Sequence, residues 1–147
     1  MRACLLSAFT LLTALTVRGA EPGSHDYWSA AALDRFGELP GRLIDEKNHF
    51  AAIVHREPGP GFSESHRDWT DIYFVTGGRG TLVVGGSIPN ARETDPGELR
   101  GESIEGGTRR TLGEGDVVHI PPGTAHHVIV EPGNELTYFL IKVQAAP

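Results

Sequence analysis

The chain has 147 residues, a formal net charge of −6 and a single cysteine, Cys4. At this length one domain is the expectation. An acidic chain whose only paired arginines lie in the short stretch TRRT (108–111) argues against a nucleic-acid partner and against an anionic membrane surface.

Residues 1–19 are typical of a secretory signal peptide. Arg2 provides a positive start, residues 3–15 form an apolar run, and Val17 and Gly19 favour cleavage after Gly19. The run is shorter than the roughly 20 residues that span a bilayer. We therefore expect a secreted or periplasmic protein with no membrane attachment after cleavage, with a retained anchor helix as the alternative. Cleavage also removes Cys4 and leaves no thiolate ligand or disulfide.

Residues 20–47 are predicted to form a polar lead-in that contains one short helix. The stretch SAAALDRF (29–36) starts with serine, a preferred N-cap residue, and continues with alanines. The glycines and proline of GELPG (37–41) end it.

From residue 48 to residue 147 the chain is predicted to be all-β. Short apolar runs separated by glycine and proline indicate a sandwich or barrel. The predicted strands are 49–57, two strands within 71–86 that form a hairpin around a glycine-rich turn at 77–80, 117–120, 126–130 and 136–143. Residues 87–108 are polar and weakly periodic, which predicts either a flexible insertion or an excursion with one or two short strands, such as GELRGESI.

The stretch GEGDVVHIPPGTAHHVIV (113–130) places a histidine directly after a Pro-Gly turn. His126 opens the next strand, where a stiff turn can direct it into a barrel. Because side chains alternate along a strand, His127 must point to the opposite face, and only one of the two can be a ligand.

The spacing Gly115-x5-Pro121-x-Gly123-x2-His126 resembles the second conserved motif of the cupin superfamily. The first cupin motif, G-x5-H-x-H-x(3,4)-E-x6-G, resembles ESHRDWTD (64–71) and the residues around it. His66 falls on its second histidine, Asp71 on its acid and Gly78 on its closing glycine. Glu64 stands where the first histidine is usual, and Val130 stands where the second motif ends in asparagine.

The resemblance implies a single-domain cupin, a jelly-roll β-barrel with a mononuclear metal site inside. Two imidazoles and one carboxylate, from His66, His126 and Asp71, are the set of a facial triad with open positions. Glu64 is a fourth ligand or a general base. A set of nitrogen and oxygen donors suits Mn, Zn, Fe, Ni or Cu(II).

Three further residues have open roles in the sequence. Tyr73 shares the parity of Asp71, so it is either a catalytic phenol in the pocket or part of the barrel packing. His119 has an even chance of facing the pocket. Trp69 either covers the mouth of the site or packs in a loop.

Two functional hypotheses follow from the resemblance. The first is an exported metal-dependent enzyme of dioxygenase, isomerase or decarboxylase type that acts on a small oxygenated organic molecule. The alternative is a non-enzymatic protein that binds a small ligand without a tightly held metal, which the missing first histidine favours. The family often forms dimers through N-terminal strands, so a homodimer is expected, with HFAAIVHRE (49–57) at the interface.

Overall fold

The computed structural model describes residues 25–35 and 41–145. This part of the chain forms one helix, α1 (Ala30–Leu33), and ten strands. The strands are β1 (Ile44–Asp45), β2 (His49–Arg56), β3 (Ser63–His66), β4 (Trp69–Val84), β5 (Arg92–Asp95), β6 (Glu98–Gly101), β7 (Thr108–Gly113), β8 (Val117–Ile120), β9 (His126–Ile129) and β10 (Leu136–Gln144). The prediction of an all-β fold with one short N-terminal helix is confirmed. The predicted signal peptide, residues 1–19, lies outside the described residues, so export stays a prediction.

The helix begins where the sequence predicted. Ser29 is its N-cap, with extended backbone angles, and its hydroxyl accepts a hydrogen bond from the Ala32 amide at 3.2 Å. The predicted end, Phe36, lies outside the described residues. Among residues 25–35 and 41–145, no helix is long and apolar enough to cross a membrane.

The long strand β4 joins two antiparallel sheets. Its first half, residues 69–78, pairs with β10 and β8, and β2 and β1 extend that sheet beyond β10. Its second half, residues 79–84, pairs with β7 and β9, and β3, β6 and β5 extend the second sheet. One strand therefore carries the chain from one wall of the barrel to the other.

The predicted hairpin within 71–86 is wrong, because the chain does not reverse at 77–80. Gly78 has a φ of +78°, which suits a turn, but here it accompanies a register shift between β4 and β10. Val75 pairs with Tyr138 and Gly77 with Thr137, so Thr76 is an extra residue on β4. Such a bulge bends a strand without ending it. A glycine-rich stretch is the sequence signal of both a hairpin turn and a bulge.

The polar segment 87–108 contains an ordered hairpin, as one of the two alternatives predicted. Strands β5 and β6 pair with each other, and β6 also pairs with β3. Strands β1, β3 and β7 were not predicted. They are short or polar, and none contains the apolar run that would identify a strand in the sequence.

The core lies between the two sheets. Alternate residues of several strands point inward and form a single buried cluster. Its members are Tyr73, Val75, Leu82, Leu112, Ile120, Val128, Val130, Leu136 and Tyr138. Two of its members, Tyr73 and Tyr138, also line a cavity that holds polar side chains.

Replacing Gly78 by alanine should destabilise the protein far more than the same change at Gly85. Both glycines have a φ of +78°, so both substitutions carry the strain of a left-handed residue, about 1–2 kcal/mol. A Cβ at Gly78 would lie 2.0 Å from the Glu135 carbonyl oxygen, whereas one at Gly85 meets nothing within 4 Å. We expect Gly78→Ala to cost about 1–3 kcal/mol more in the free energy of unfolding, measured by urea denaturation. Equal losses for the two variants would contradict the close approach of β4 to Glu135.

Candidate metal centre

Strand β3 directs Glu64 and His66 into the barrel. The two residues are separated by one position, so they share the inward face of the strand. Each lies directly opposite a residue of a neighbouring strand. Glu64 pairs with His126 of β9 on one side and with Arg100 of β6 on the other, and His66 pairs with Glu98 of β6.

Strands β4 and β9 bring the other predicted residues to the same place. Asp71 and Tyr73 alternate inward on β4, and both are buried. His126 opens β9 after the turn at Gly123, whose φ is +72°. His126 is 1% exposed and faces the site, while the ring of His127 contacts the Pro60 carbonyl oxygen on the other side of the strand. The alternation of the two histidines follows the prediction.

The four predicted ligand residues converge. His126 Nε2 is 3.5 Å from an Asp71 carboxylate oxygen and 3.6 Å from a Glu64 oxygen. His66 Nε2 is 3.6 Å from the same Asp71 oxygen and 3.8 Å from the second Glu64 oxygen. The ligand atoms of Glu64, His66 and His126 all lie within 4.8 Å of one another.

Both imidazoles are fixed through the ring nitrogen that faces away from the site. His66 Nδ1 hydrogen-bonds to Glu98, and His126 Nδ1 hydrogen-bonds to the Thr124 carbonyl oxygen at 3.0 Å. Donation from Nδ1 leaves Nε2 as the lone-pair nitrogen. Within the described part of the chain, three buried side-chain polar atoms make no hydrogen bond, and all belong to this cluster: His66 Nε2, His126 Nε2 and Asp71 Oδ1.

Asp71 differs from Glu64 in its surroundings. The ammonium of Lys142, its cross-strand partner, lies 3.2 Å from Oδ1, and the hydroxyl of Tyr73 donates to Oδ2 at 3.3 Å. The carboxylate is thus compensated and oriented by the protein itself. Glu64 has a cation of its own nearby, since Arg100 Nη1 lies 3.4 Å from it. The ligand atoms of Glu64, His66 and His126 form the compact group of three, and Asp71 lies beside them as a candidate fourth ligand.

The charges in the cluster favour ionised carboxylates. Burial alone would raise the pKa of Glu64, but the contact with His126, with smaller contributions from His66 and Lys142, lowers it to about 2. Burial would likewise raise the pKa of Asp71, and His126 and Lys142 lower it. For His126, burial would lower the pKa, but the contacts with Asp71 and Glu64 raise it to about 9. The cluster stabilises positive charge at its centre.

The donor set fits a divalent metal ion. Two imidazole nitrogens and a carboxylate are ligands of Zn, Mn, Fe and Ni sites. Donors about 2.1 Å from a tetrahedral ion lie roughly 3.4 Å apart, close to the 3.5–3.8 Å separations between the carboxylate oxygens and the imidazole nitrogens. An unpartnered buried nitrogen is costly, so two of them beside carboxylates fit a bound cation.

A cavity of about 440 Å³ opens from this cluster, large enough for a small organic molecule. Its apolar wall includes Phe50, Phe62 and Trp69, and the ring of Trp69 contacts Phe50 with centroids 5.8 Å apart. Trp69 therefore lines the pocket.

Tyr73 and His119 differ in where they face. Tyr73 is 1% exposed and packs against Tyr138, with ring centroids 4.6 Å apart. Burial, with the charges of Asp71 and Glu64, raises its pKa well above the ordinary value, so the phenol keeps its proton. His119 is exposed and does not line this cavity, because Val118 and Ile120 take the inward positions of β8.

Glu98 and Lys142 were not predicted from the sequence, and Arg100 was not predicted to contact a ligand candidate. Each is the direct cross-strand partner of a predicted site residue: Glu98 of His66, Lys142 of Asp71 and Arg100 of Glu64. The only sequence signal is a charged residue on an otherwise strand-like segment, as in GELRG (97–101) and FLIKV (139–143).

The fold is similar to those of solved structures, although a scan of protein-family models gave no match and a search of curated proteins gave none. A protein from Bacillus halodurans is 17% identical, with a TM-score of 0.59 over 85% of this chain and 86% of that one. An uncharacterized conserved protein with a double-stranded beta-helix domain from Klebsiella pneumoniae is 14% identical, with a TM-score of 0.57 over 84% and 100%. A cupin-like protein from Thermotoga maritima is 27% identical, with a TM-score of 0.50 over 72% and 69%.

Replacing Glu98 by glutamine should weaken metal binding without removing a ligand. The amide no longer stabilises the Nδ1 proton of His66 as a carboxylate does, so His66 becomes a weaker and less well oriented donor. We expect the dissociation constant for Zn²⁺ to rise about 10–100-fold, measured by competition with a chelator. Glu114→Gln removes the same charge at an exposed turn and should leave the constant unchanged. If both variants bind zinc like the wild type, Glu98 does not support the site.

Proposed function

We propose that this chain, which has the cupin fold, binds one divalent metal ion through Glu64, His66 and His126 and is an enzyme that acts on a small oxygenated organic molecule. The observation that carries the proposal is the pair of buried imidazole Nε2 atoms of His66 and His126. Both face the carboxylates of Glu64 and Asp71, and neither makes a hydrogen bond. The metal is one of Mn, Zn, Fe, Ni or Cu.

The residues of the chain have separate tasks in this proposal. The bound ion would act as a Lewis acid that polarises an oxygen of the substrate. Glu98 and Thr124 hold the two imidazoles in place through Nδ1. Asp71, held by Lys142 and Tyr73, presents a fixed negative charge beside the ligands. Glu64 is a ligand rather than a general base, because its two oxygens face one imidazole each.

The cavity supports an enzyme more than a storage site. It is lined by Glu64, His66 and Asp71, so an ion held by the ligand cluster would be accessible to a molecule in the cavity. Three protein ligands leave coordination positions open, as in catalytic rather than structural metal sites. The aromatic wall excludes water from one side of a bound molecule.

Purified, tag-free protein should contain about one equivalent of metal per chain after incubation with Zn²⁺ or Mn²⁺ and dialysis, as measured by elemental analysis. His126→Ala should lose at least nine-tenths of it, because one of three ligands is absent. His119→Ala is the matched control, since it removes an exposed histidine outside the cavity, and should keep full occupancy.

The same preparations distinguish the enzyme from the alternative. Little metal in the wild type, unchanged by His126→Ala, would refute the metal site and leave a metal-free binding protein. Substrate turnover in a panel of small hydroxy and keto compounds should appear only in metal-loaded wild type and His119→Ala. Turnover that survives a chelator and His126→Ala would refute a metal-dependent reaction.

We propose further that the protein forms a homodimer through the outer face of the first sheet. Two rows of residues cross this face in register, one running Ile53, Phe139, Phe74 and Val117 and the other Ala51, Ile141, Ile72 and His119. Phe74 and Val117 are 42% and 62% exposed. The two rows carry no acidic or strongly basic side chain, and Asp34 of α1 borders them beside Ile53 and Phe139. An apolar surface of this kind is complementary to a second copy of itself across a two-fold axis. Residues 49–57, the segment predicted at an interface, supply one edge of it.

Phe74→Glu should convert the dimer to a monomer, because it places a charge in the middle of the apolar face. The molar mass in solution, measured by light scattering after size exclusion, should fall by half at micromolar concentration. Leu99→Glu introduces the same charge at an exposed leucine of β6, on the other sheet, and should leave the mass unchanged. A wild type that is monomeric at all concentrations would refute the dimer.

A further inference from the structure

The hairpin β5–β6 places two arginines side by side. Arg92 and Arg100 are direct cross-strand partners, so their side chains lie on the same face. Like charges in this position destabilise a sheet. The side chain of Arg92 makes no ion pair or hydrogen bond with another described residue. The pair therefore has one cation without a compensating charge.

Arg100 connects this pair to the ligand cluster. Its guanidinium lies 4.3 Å from the centroid of the Phe62 ring, and its Nη1 is 3.4 Å from a Glu64 oxygen. Arg100 and Phe62 line both the cavity above the ligands and a second cavity of about 510 Å³, which Arg92 also lines. Arg100 thus lies at the border of two adjoining cavities, and its cross-strand partner Arg92 lies in the outer one.

The charges around the inner cavity are balanced before any ion binds. Its walls carry four carboxylates, Glu64, Asp71, Asp95 and Glu98, and four basic side chains, Arg42, Arg56, Arg100 and Lys142. The outer cavity is also lined by Arg92 and Glu102, which form no ion pair with each other. A divalent cation at the ligand cluster would therefore leave an excess of positive charge, which a bound anion compensates.

We infer that the substrate is a small carboxylate, whose anionic group Arg92 and Arg100 hold while its oxygenated end reaches the ligand cluster. This inference rests on the proposed function. Guanidinium groups bind carboxylates with paired hydrogen bonds. Arg100 is already shared with Glu64, so the pair offers about one free positive charge, which matches a carboxylate better than a doubly charged phosphate. The segment 87–108 is then the recognition element of the site.

The test uses glycolate, a singly charged carboxylate with one hydroxyl group, as the probe, with uncharged glycolamide and inorganic phosphate as comparisons, titrated calorimetrically into zinc-loaded protein. We expect glycolate to bind at least tenfold more tightly than glycolamide and more tightly than phosphate. Arg92→Gln should weaken glycolate binding at least tenfold and leave glycolamide unchanged. Arg109→Gln, at an exposed arginine of β7 that lines neither cavity, is the control and should bind glycolate like the wild type.

Arg92 is the decisive position because it does not contact a ligand residue, so its replacement should leave zinc occupancy intact. Equal glycolate affinity for Arg92→Gln and Arg109→Gln, with full zinc occupancy in both, would overturn the inference and leave the metal site standing. Tighter binding of phosphate than of glycolate would overturn the carboxylate assignment. If the wild type binds no zinc, the proposed function fails, and the inference that rests on it is overturned as well.

Discussion

The site depends on two buried imidazole nitrogens, Nε2 of His66 and Nε2 of His126, which face the same carboxylates and have no hydrogen-bond partner. His66 and His126 are each 3% exposed or less, and each uses its outer ring nitrogen to bind the protein. A barrel does not leave such atoms unpaired without cost. Three different strands, β3, β4 and β9, converge there, and the apolar core borders the site through Tyr73 and Tyr138. Stability is thus given up at the candidate metal centre.

Cross-strand pairing is the means by which the site is assembled. Glu64 lies opposite His126, His66 opposite Glu98 and Asp71 opposite Lys142. In each pair the second residue neutralises, orients or accompanies the first. The same rule places Arg92 beside Arg100 at the outer edge. The candidate ligands, the residues that hold them and the proposed anion-binding pair therefore all follow from the registers of these strand pairs. A shift by one residue in a strand would turn its side chains to the opposite face.

The cupin resemblance, the all-β class and the ligand candidates Glu64, His66, Asp71 and His126 were within reach of the sequence because glycine spacing and strand alternation are local. The continuity of β4 was not, since a glycine with positive φ serves a turn and a bulge equally well, and only its neighbours on β10 distinguish the two. Glu98 was missed for a similar reason. It lies 32 residues from His66 in the chain, and nothing local connects them.

The sequence by itself determined which residues share a face: 64 with 66, 71 with 73, and 126 against 127. This follows from the two-residue period of a strand, which holds whatever the strand pairs with. Only the tertiary structure decided that Lys142 compensates Asp71 and that Glu64 stands opposite both His126 and Arg100. Strand pairing is a long-range choice, made by burial and register over the whole barrel, because backbone hydrogen bonds alone do not distinguish one strand partner from another.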